Sequence, residues 1–199
     1  MKFNILFLSL CLCFFQMGNA QMNGTKGKKN VNYIQQISTD KIERPKIIVG
    51  LVVDQMRWDY LYRYYSKYVD NGFKRLIREG YNCQNTHINY SPTFTACGHA
   101  CIYTGSVPAL HGITGNDWYD YKYNQKIYCT TDTNYIGKGT KSTAGQMSPR
   151  NMKTTTIGDE LRLATNFRSK VIGIALKDRS SILPAGHAAN AAFWYDGKA

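Results

Sequence analysis

Thr95 is the residue whose type and setting most clearly suggest chemistry. It opens a helical stretch within residues 91–99, where small residues crowd the first turn. The free N–H groups and the dipole at a helix N-terminus stabilise both an alkoxide and a bound phosphate. A threonine hydroxyl is too weakly acidic to attack unaided, so it needs a base or a metal ion to hold it deprotonated. The competing interpretation is simple helix capping, the commoner role of threonine at such a position.

Asp54 is a carboxylate that could hold such a metal ion. It directly follows the continuous apolar run at 46–53, which has the composition of a strand buried on both faces of a parallel sheet. Ligands of α/β sheets bind at the carboxyl ends of the strands, where Asp54 would lie. Taken alone, Asp54 fits equally well as the cap of a following helix.

Three further residues could bind the oxygens of an anion. Lys177 and Arg179 follow a second buried-strand pattern at 171–176, and in an extended segment their side chains would project to the same side. Arginine would then act as a fork and lysine as a point charge on one phosphoryl group. Asn116 lies in a loop, where its amide either donates to a phosphate oxygen or satisfies a turn. The alternative for Lys177 and Arg179 is a solvated pair.

The order of apolar patterns predicts the framework that positions these residues. Thr156 and Asp159 have the spacing of a capping box at the start of a helix. We expect an α/β domain with a mostly parallel sheet and helices on both faces, because strand and helix patterns alternate. The patterns predict helices at 58–68, 73–78, 95–104 and 157–165, strands at 46–53, 81–89, 171–176 and 191–195, a hairpin at 118–130 and a loop at 137–149.

The N-terminal segment predicts export. Residues 1–20 combine a positive start, an apolar run and small residues for cleavage, which is the pattern of a signal peptide. Its apolar core is too short to span a membrane, so we expect a soluble mature protein in the periplasm or outside the cell. Residues 21–44 are predicted to be a flexible basic leader, and 45–199 the folded part. The chain ends directly after the strand pattern at 191–195, which suggests a domain cut short at its C-terminus.

The charge suits an anionic partner without indicating nucleic acid. Lys and Arg number 25 against 13 Asp and Glu, and loss of Lys2 with the signal peptide leaves a net charge of about +11. The basic residues are scattered and show no face with interleaved aromatics, so no nucleic-acid partner is expected. Cys97 and Cys101 stand i,i+4 on one helix, too far apart for a disulfide. The helix turns His99 away from both thiols, and His87 and His111 also lack metal-ligand spacing.

Five short motifs, in order, resemble the alkaline phosphatase superfamily, and more closely its secreted bacterial members with a threonine nucleophile. They are VDQMR at 53–57, PTFTACGH at 92–99, YTG at 103–105, HGITGN at 111–116 and KDR at 177–179. The resemblance implies that Asp54 and Thr95 bind one of two zinc ions and that Thr95 forms a phospho-threonine intermediate. Asn116, Lys177 and Arg179 would bind the phosphoryl oxygens of small phosphorylated substrates.

One part of the family pattern is absent from the sequence. The family's other metal ligands form an Asp-x-x-x-His, an Asp-His pair and a later His beyond the KDR motif, whereas only His187 follows Arg179 here. Because a zinc ion needs about four ligands, we expect this chain to be inactive as it stands. A phosphodiesterase or nucleotide pyrophosphatase of the same superfamily and a non-catalytic exported protein are the alternatives. The Lys177 and Arg179 pair favours monoesters, which carry one more charged oxygen than diesters.

Overall fold

The computed structural model describes residues 45–197. The predicted signal peptide at 1–20 and leader at 21–44 lie outside these residues. The contacts divide the chain into Met1–Ile48 and Val49–Ala199. Of the first unit, residues 45–48 are described, and they form an exposed segment without helix or strand. All the elements below belong to the second unit.

The second unit is built from short helices and short strands. The α-helices are α1 (Tyr60–Arg63), α2 (Phe73–Glu79), α3 (Thr95–Thr104), α4 (Pro108–His111), α5 (Ile157–Ala164) and α6 (Asp178–Ala185). The strands are β1 (Asp117–Asp120), β2 (Gln125–Tyr128), β3 (Ile172–Ile174) and β4 (Ala191–Phe193), and single 3-10 turns lie at Tyr65–Lys67 and Thr143–Gly145. Across residues 45–197, no helix has the length and apolar content to cross a membrane.

The core forms where α3 packs against α6. Ala96 and Ala100 are fully buried on α3, and their small side chains allow the helices to approach closely. Leu183 of α6 fills the facing position and is also fully buried. The remaining members of this cluster are Ile113, Cys129 and Met152, with Trp118 and Tyr128 packed against them.

The hairpin predicted at 118–130 is confirmed. Strands β1 and β2 pair antiparallel, with Asp117 opposite Tyr128 and Asp120 opposite Gln125. The Asp120 carboxylate accepts hydrogen bonds from the backbone N–H groups of Lys122 and Tyr123, at 2.9 and 3.3 Å. This side-chain turn closes the loop between the strands and delivers Tyr128 to the edge of the core.

Strands β3 and β4 pair in parallel and are joined through α6, which makes a β–α–β unit of the predicted α/β class. Ile172 lies opposite Ala191, and Ile174 opposite Phe193. Gly173 is buried at the point where β3 approaches α6, and a Cβ atom there would collide with the backbone oxygen of Ser181. A glycine is therefore needed for the helix to pack on this strand.

Two strand predictions are wrong, and a third is wrong about burial. No strand forms at 46–53 or 81–89, and most apolar side chains of the first segment are exposed, Leu51 by 78%. Strand β3 forms within 171–176, but Ile174 is 79% exposed. Parallel strands acquire burial from helices and neighbouring strands on all sides. Within residues 45–197, β3 has β4 as its one neighbouring strand.

Candidate functional site

Thr95 is the first residue of α3, and its hydroxyl is directed at Asp54. The N-cap position is taken by Phe94, whose side chain makes no capping hydrogen bond. Thr95 Oγ1 instead donates to Asp54 Oδ2 at 3.2 Å, across 41 positions of sequence. Asp54 is exposed and Thr95 is half-buried. The capping interpretation of both residues is therefore wrong, because their side chains are hydrogen-bonded to each other and not to the backbone of a helix end.

Asn116 also lies at the N-terminus of α3, beside Thr95. Its side-chain oxygen Oδ1 accepts the backbone N–H of Ala96 at 3.0 Å, one of the donors that a first helical turn leaves free. With Oδ1 occupied in this way, the Nδ2 amide group keeps two N–H donors available for another acceptor. The backbone oxygen of Asn116 accepts from the N–H of Cys129 at 3.0 Å, which fastens this loop to the end of β2.

Arg179 lies in the first turn of α6 and is held by Tyr128. Its Nη1 donates to the Tyr128 hydroxyl at 2.7 Å, and its guanidinium carbon lies 5.9 Å from the centre of the tyrosine ring. The Tyr128 hydroxyl in turn donates to Asp178 Oδ1 at 2.9 Å, and Thr130 Oγ1 donates to the other carboxylate oxygen. Burial, together with the nearby charge of Asp178, raises the pKa of Tyr128 to about 12.

Lys177 occupies the N-cap position of α6, with an extended backbone and an exposed side chain. The prediction that it shares an extended segment with Arg179 is wrong, because the helix begins at Asp178, between them. Backbone hydrogen bonds to the Lys177 oxygen close the first turn of the helix. The N–H groups of Ser180 and Ser181 donate to that oxygen at 3.1 and 3.2 Å.

Three of the predicted residues lie together, and a fourth, Arg179, is connected to them through a hydrogen-bonded segment. Asp54, Thr95 and Asn116 meet at the N-terminus of α3. Arg179 is connected to them through Tyr128, since the next residue, Cys129, is hydrogen-bonded to Asn116. The packing of α3 against α6 supports the same arrangement. Lys177 starts the helix that carries Arg179.

The histidines and cysteines near the site have structural partners. His99 is buried, and its Nδ1–H donates to the backbone oxygen of Thr95 at 2.8 Å. His111 is fully buried, which lowers its pKa, and its Nδ1 accepts from Ile113 N at 3.1 Å. Its Nε2–H therefore donates to Cys101 Sγ at 3.2 Å. Within the described part of the chain, Cys83, Cys97, Cys101 and Cys129 form no disulfide bonds.

The described residues offer few ligands for a metal ion. Asp54 and Thr95 bring two oxygen atoms together, and zinc requires about four ligands. Between residues 45 and 197, no three His, Cys, Asp or Glu side chains are grouped where a cation could be held. This donor set does not fit a complete zinc site, and it fits two zinc ions still less.

Sequence reasoning missed Tyr128, Thr130 and Asp178. Tyr128 was recognised only as part of the alternating pattern of a hairpin, in which aromatic residues are common. Its hydrogen bonds reach 50 and 51 positions along the chain. No local spacing signals such contacts. The one available hint was Asp178, a carboxylate directly between two predicted phosphate-binding cations.

Known proteins match most of this chain. The profile of the type I phosphodiesterase / nucleotide pyrophosphatase family matches residues 48–199. Alkaline phosphatase PhoV of Synechococcus elongatus is 52% identical over 196 residues, which are 98% of this chain and 34% of PhoV. Alkaline phosphatase PafA of Elizabethkingia meningoseptica is 60% identical over 159 residues, 79% of this chain and 29% of PafA. A Myroides odoratus protein that carries a different name, calcium-transporting ATPase, is 60% identical over 162 residues, covering 81% of this chain and 30% of that protein.

Solved structures agree with these sequence matches. The crystal structure of wild-type PafA superposes with a TM-score of 0.76 and 61% identity, covering 78% of this chain and 30% of that one. A PafA variant with four substitutions gives the same TM-score at 58% identity. The chain thus spans about a third of the length of the relatives it matches. It belongs to the type I phosphodiesterase / nucleotide pyrophosphatase family.

Proposed function

We propose that the protein is the N-terminal part of a phosphate monoester hydrolase whose nucleophile is Thr95. The observation that carries the proposal is the placement of the Thr95 hydroxyl. It lies at the N-terminus of α3, 3.2 Å from the Asp54 carboxylate and next to the amide of Asn116. Free N–H groups and the helix dipole at this position favour both an alkoxide and a bound phosphoryl group.

The chemistry of Thr95 proceeds in two displacements. The hydroxyl gives up its proton, Oγ1 bonds to phosphorus, and the ester P–O bond breaks with departure of the alcohol, which gains a proton. Water then attacks the phospho-threonine, the Oγ1–P bond breaks, and inorganic phosphate leaves as the hydroxyl is restored. Such a loose phosphoryl transfer depends on positioning and charge stabilisation more than on a strong base.

Asn116, Lys177 and Arg179 would bind the non-reacting phosphoryl oxygens. Asn116 has two amide N–H donors to offer once Oδ1 is occupied by Ala96. The PafA variant supports the assignment, because its four substitutions replace a threonine, an asparagine, a lysine and an arginine in that order. The first two are as far apart as Thr95 and Asn116, and the last two are as far apart as Lys177 and Arg179.

The zinc ions of the proposal need ligands beyond residues 45–197. Asp54 and Thr95 would hold one side of one ion, and the metal would supply stabilisation of negative charge on oxygen. Their two oxygen atoms alone are too few to bind zinc tightly. We therefore propose that the 199-residue chain by itself neither retains zinc nor hydrolyses esters.

The decisive experiment uses a chimera, called the PafA chimera below, in which residues 45–199 replace the matching segment of Elizabethkingia PafA. We expect it to hydrolyse p-nitrophenyl phosphate. The Thr95→Ala variant should lose activity by roughly a thousandfold, because the attacking oxygen is removed. Thr93→Ala is the matched control, since Thr93 lies outside the helix. An active chimera that keeps its rate with Thr95→Ala would rule out the proposed nucleophile.

The choice between monoesters and diesters rests on Lys177 and Arg179. Replacing both with alanine in the PafA chimera should lower kcat/KM for p-nitrophenyl phosphate by about a hundredfold or more. Hydrolysis of bis-p-nitrophenyl phosphate should fall far less, since a diester carries fewer charged oxygens. Equal losses on both substrates, or none, would favour the phosphodiesterase that the family name allows.

The chain alone tests the non-catalytic alternative. Purified residues 21–199 should release zinc on gel filtration and show no turnover of p-nitrophenyl phosphate. Bound zinc with turnover would contradict the proposed inactivity. If the PafA chimera is also inactive, a non-catalytic exported protein becomes the better account.

Export and small phosphorylated substrates complete the proposal. The signal pattern at 1–20 predicts that a reporter fused to it reaches the periplasm, which cell fractionation measures. Nucleic acid is not a proposed partner. A gel-shift assay at physiological salt should show no specific DNA or RNA complex.

A further inference from the structure

We propose that Tyr128 is a positioning residue, whose hydroxyl holds the Arg179 guanidinium ready for a phosphoryl group and keeps it apart from the Asp178 carboxylate. The inference rests on the proposed role of Arg179 and extends it to a residue with no assigned part. Tyr128 touches neither substrate nor reacting atoms in this account. It acts through Arg179.

The direction of each hydrogen bond around Tyr128 is fixed by chemistry. A guanidinium can only donate, so Arg179 Nη1 gives its hydrogen to the tyrosine oxygen at 2.7 Å. A carboxylate can only accept, so the tyrosine hydroxyl gives its own hydrogen to Asp178 Oδ1 at 2.9 Å. Tyr128 therefore stands between a cation and an anion with its single proton already committed.

This arrangement preserves the charge of Arg179 for a ligand. In a direct two-pronged ion pair, the carboxylate would occupy two N–H groups of the guanidinium and compete with an incoming phosphoryl group. Asp178 instead accepts from two hydroxyls, those of Tyr128 and Thr130. One guanidinium N–H is used by Tyr128, and within residues 45–197 the buried Nε–H has no acceptor. Donors with positive charge thus remain free.

Tyr128 is well placed to act as a rigid support. It ends β2 and packs against the core cluster of α3 and α6. The next residue, Cys129, donates its N–H to Asn116, so one strand end locates both the amide and the guanidinium. The raised pKa of Tyr128, about 12, follows from burial and from Asp178, and it keeps the hydroxyl proton in place in alkaline solution.

The test is a double-mutant cycle in the PafA chimera with Tyr128→Phe and Arg179→Ala. Phenylalanine keeps the ring against the core and removes only the hydroxyl. We expect Tyr128→Phe to lower kcat/KM for p-nitrophenyl phosphate about tenfold and to raise the inhibition constant of inorganic phosphate similarly. In the Arg179→Ala background, the same change should have almost no further effect. Tyr121→Phe is the matched control, because Tyr121 is 88% exposed.

Each outcome of the cycle decides between two ideas. If Arg179→Ala leaves monoester hydrolysis unchanged, the proposed phosphate-binding role fails, and the role of Tyr128 fails with it. If Arg179→Ala lowers activity and Tyr128→Phe does not, only the positioning role is wrong. An equal loss from Tyr128→Phe with and without Arg179 would show a general packing effect and would also overturn the inference. Thermal unfolding of each variant checks that the chimera stays folded.

Discussion

At the scale of single residues, the hydroxyl of Thr95 and the amide of Asn116 show how a local pattern gains a role through distant contacts. The sequence identified both residues, because a helix start and a glycine-rich loop are local features. Their partners, Asp54 and the N–H of Ala96, come from other segments of the chain. Residue types and order therefore indicated residues that the structure brings together, Thr95 with Asp54 and Asn116 with the start of α3. The support from Tyr128 was not predictable, because it arises only after β2 and α6 have packed.

Two neighbouring side chains at the end of β2 make stability sensitive to alkaline pH. Burial, with a smaller effect of Asp178, raises the pKa of the Cys129 thiol from 9.0 to about 12, and the pKa of Tyr128 also reaches about 12. Between about pH 9 and pH 12, the unfolded chain has lost the thiol proton while the folded chain retains it. The stabilisation is thus complete below about pH 9 and is lost as the pH rises through the folded value.

We expect the free energy of unfolding to fall between about pH 9 and pH 12, by at most about 1.4 kcal/mol per pH unit for Cys129. Urea unfolding at a series of pH values measures this change in the free energy of unfolding. The Cys129→Ala variant should show a flatter dependence on pH. The control is Cys83→Ala, since Cys83 is exposed. An unchanged slope in Cys129→Ala would show that the thiol does not titrate in this way.

At the scale of elements, α5 was predicted most completely, because its capping box lies within four residues of sequence. Thr156 Oγ1 accepts from Asp159 N at 3.1 Å, and Asp159 Oδ2 accepts from Thr156 N at 2.8 Å. The second carboxylate oxygen of Asp159 accepts from Ala188 N at 2.6 Å and ties the helix to the approach to β4. Burial alone would raise the pKa of Asp159, but these N–H donors outweigh it and lower the pKa.

The capping box leads to a graded prediction for stability. Thr156→Ala should lower the free energy of unfolding by about 1 kcal/mol, the usual cost of a lost cap. Asp159→Ala should cost more, because it also leaves the half-buried N–H of Ala188 without its acceptor. Thr155→Ala is the control, as Thr155 is exposed. Chemical denaturation gives the values, and a smaller loss for Asp159→Ala than for Thr156→Ala would contradict this order.

The strands were less predictable than the helices, for a physical reason. A capping box or a hairpin turn is satisfied by nearby residues, whereas a parallel strand depends on partners far along the chain. The pattern at 171–176 correctly predicted a strand. Its prediction that the strand is buried is wrong, since Ile172 is 56% exposed. The pattern at 46–53 gave a strand that does not form. Apolar composition indicates that a segment can be buried in a sheet. Whether it is buried depends on other strands that pair with it.

At the scale of the whole molecule, the exposed side chains of β3 contrast with the packed interface of α3 and α6. Ile174 is 79% exposed while Ile113 is fully buried. The chain spans about a third of the length of its relatives. We expect the rest of the PafA fold to cover β3 in the chimera. An isoleucine-to-valine substitution should therefore lower the free energy of unfolding at Ile113 in both the chain and the chimera, and at Ile174 only in the chimera.

We expect Ile113→Val to lower the free energy of unfolding by about 0.5–1.5 kcal/mol both in the 199-residue chain and in the PafA chimera. Ile174→Val should be nearly neutral in the chain and should cost a similar 0.5–1.5 kcal/mol in the chimera, where a buried methylene would be lost. Denaturant unfolding of the four proteins and their parents tests this. If Ile174→Val is neutral in both, β3 remains exposed even in the complete fold.

The hydrogen bond from Ala96 to Asn116 has a consequence for the thermodynamics of anion binding. The Asn116 side chain is fixed before any anion arrives, and Arg179 is fixed by Tyr128 in the same way. Ordering a mobile side chain on binding costs about 0.5–1.5 kcal/mol, so these two groups bind without most of that entropy loss. The exposed side chain of Lys177 does not share this advantage. The proposed anion site therefore pairs two preorganised donors with one adaptable cation that is ordered only when an anion binds.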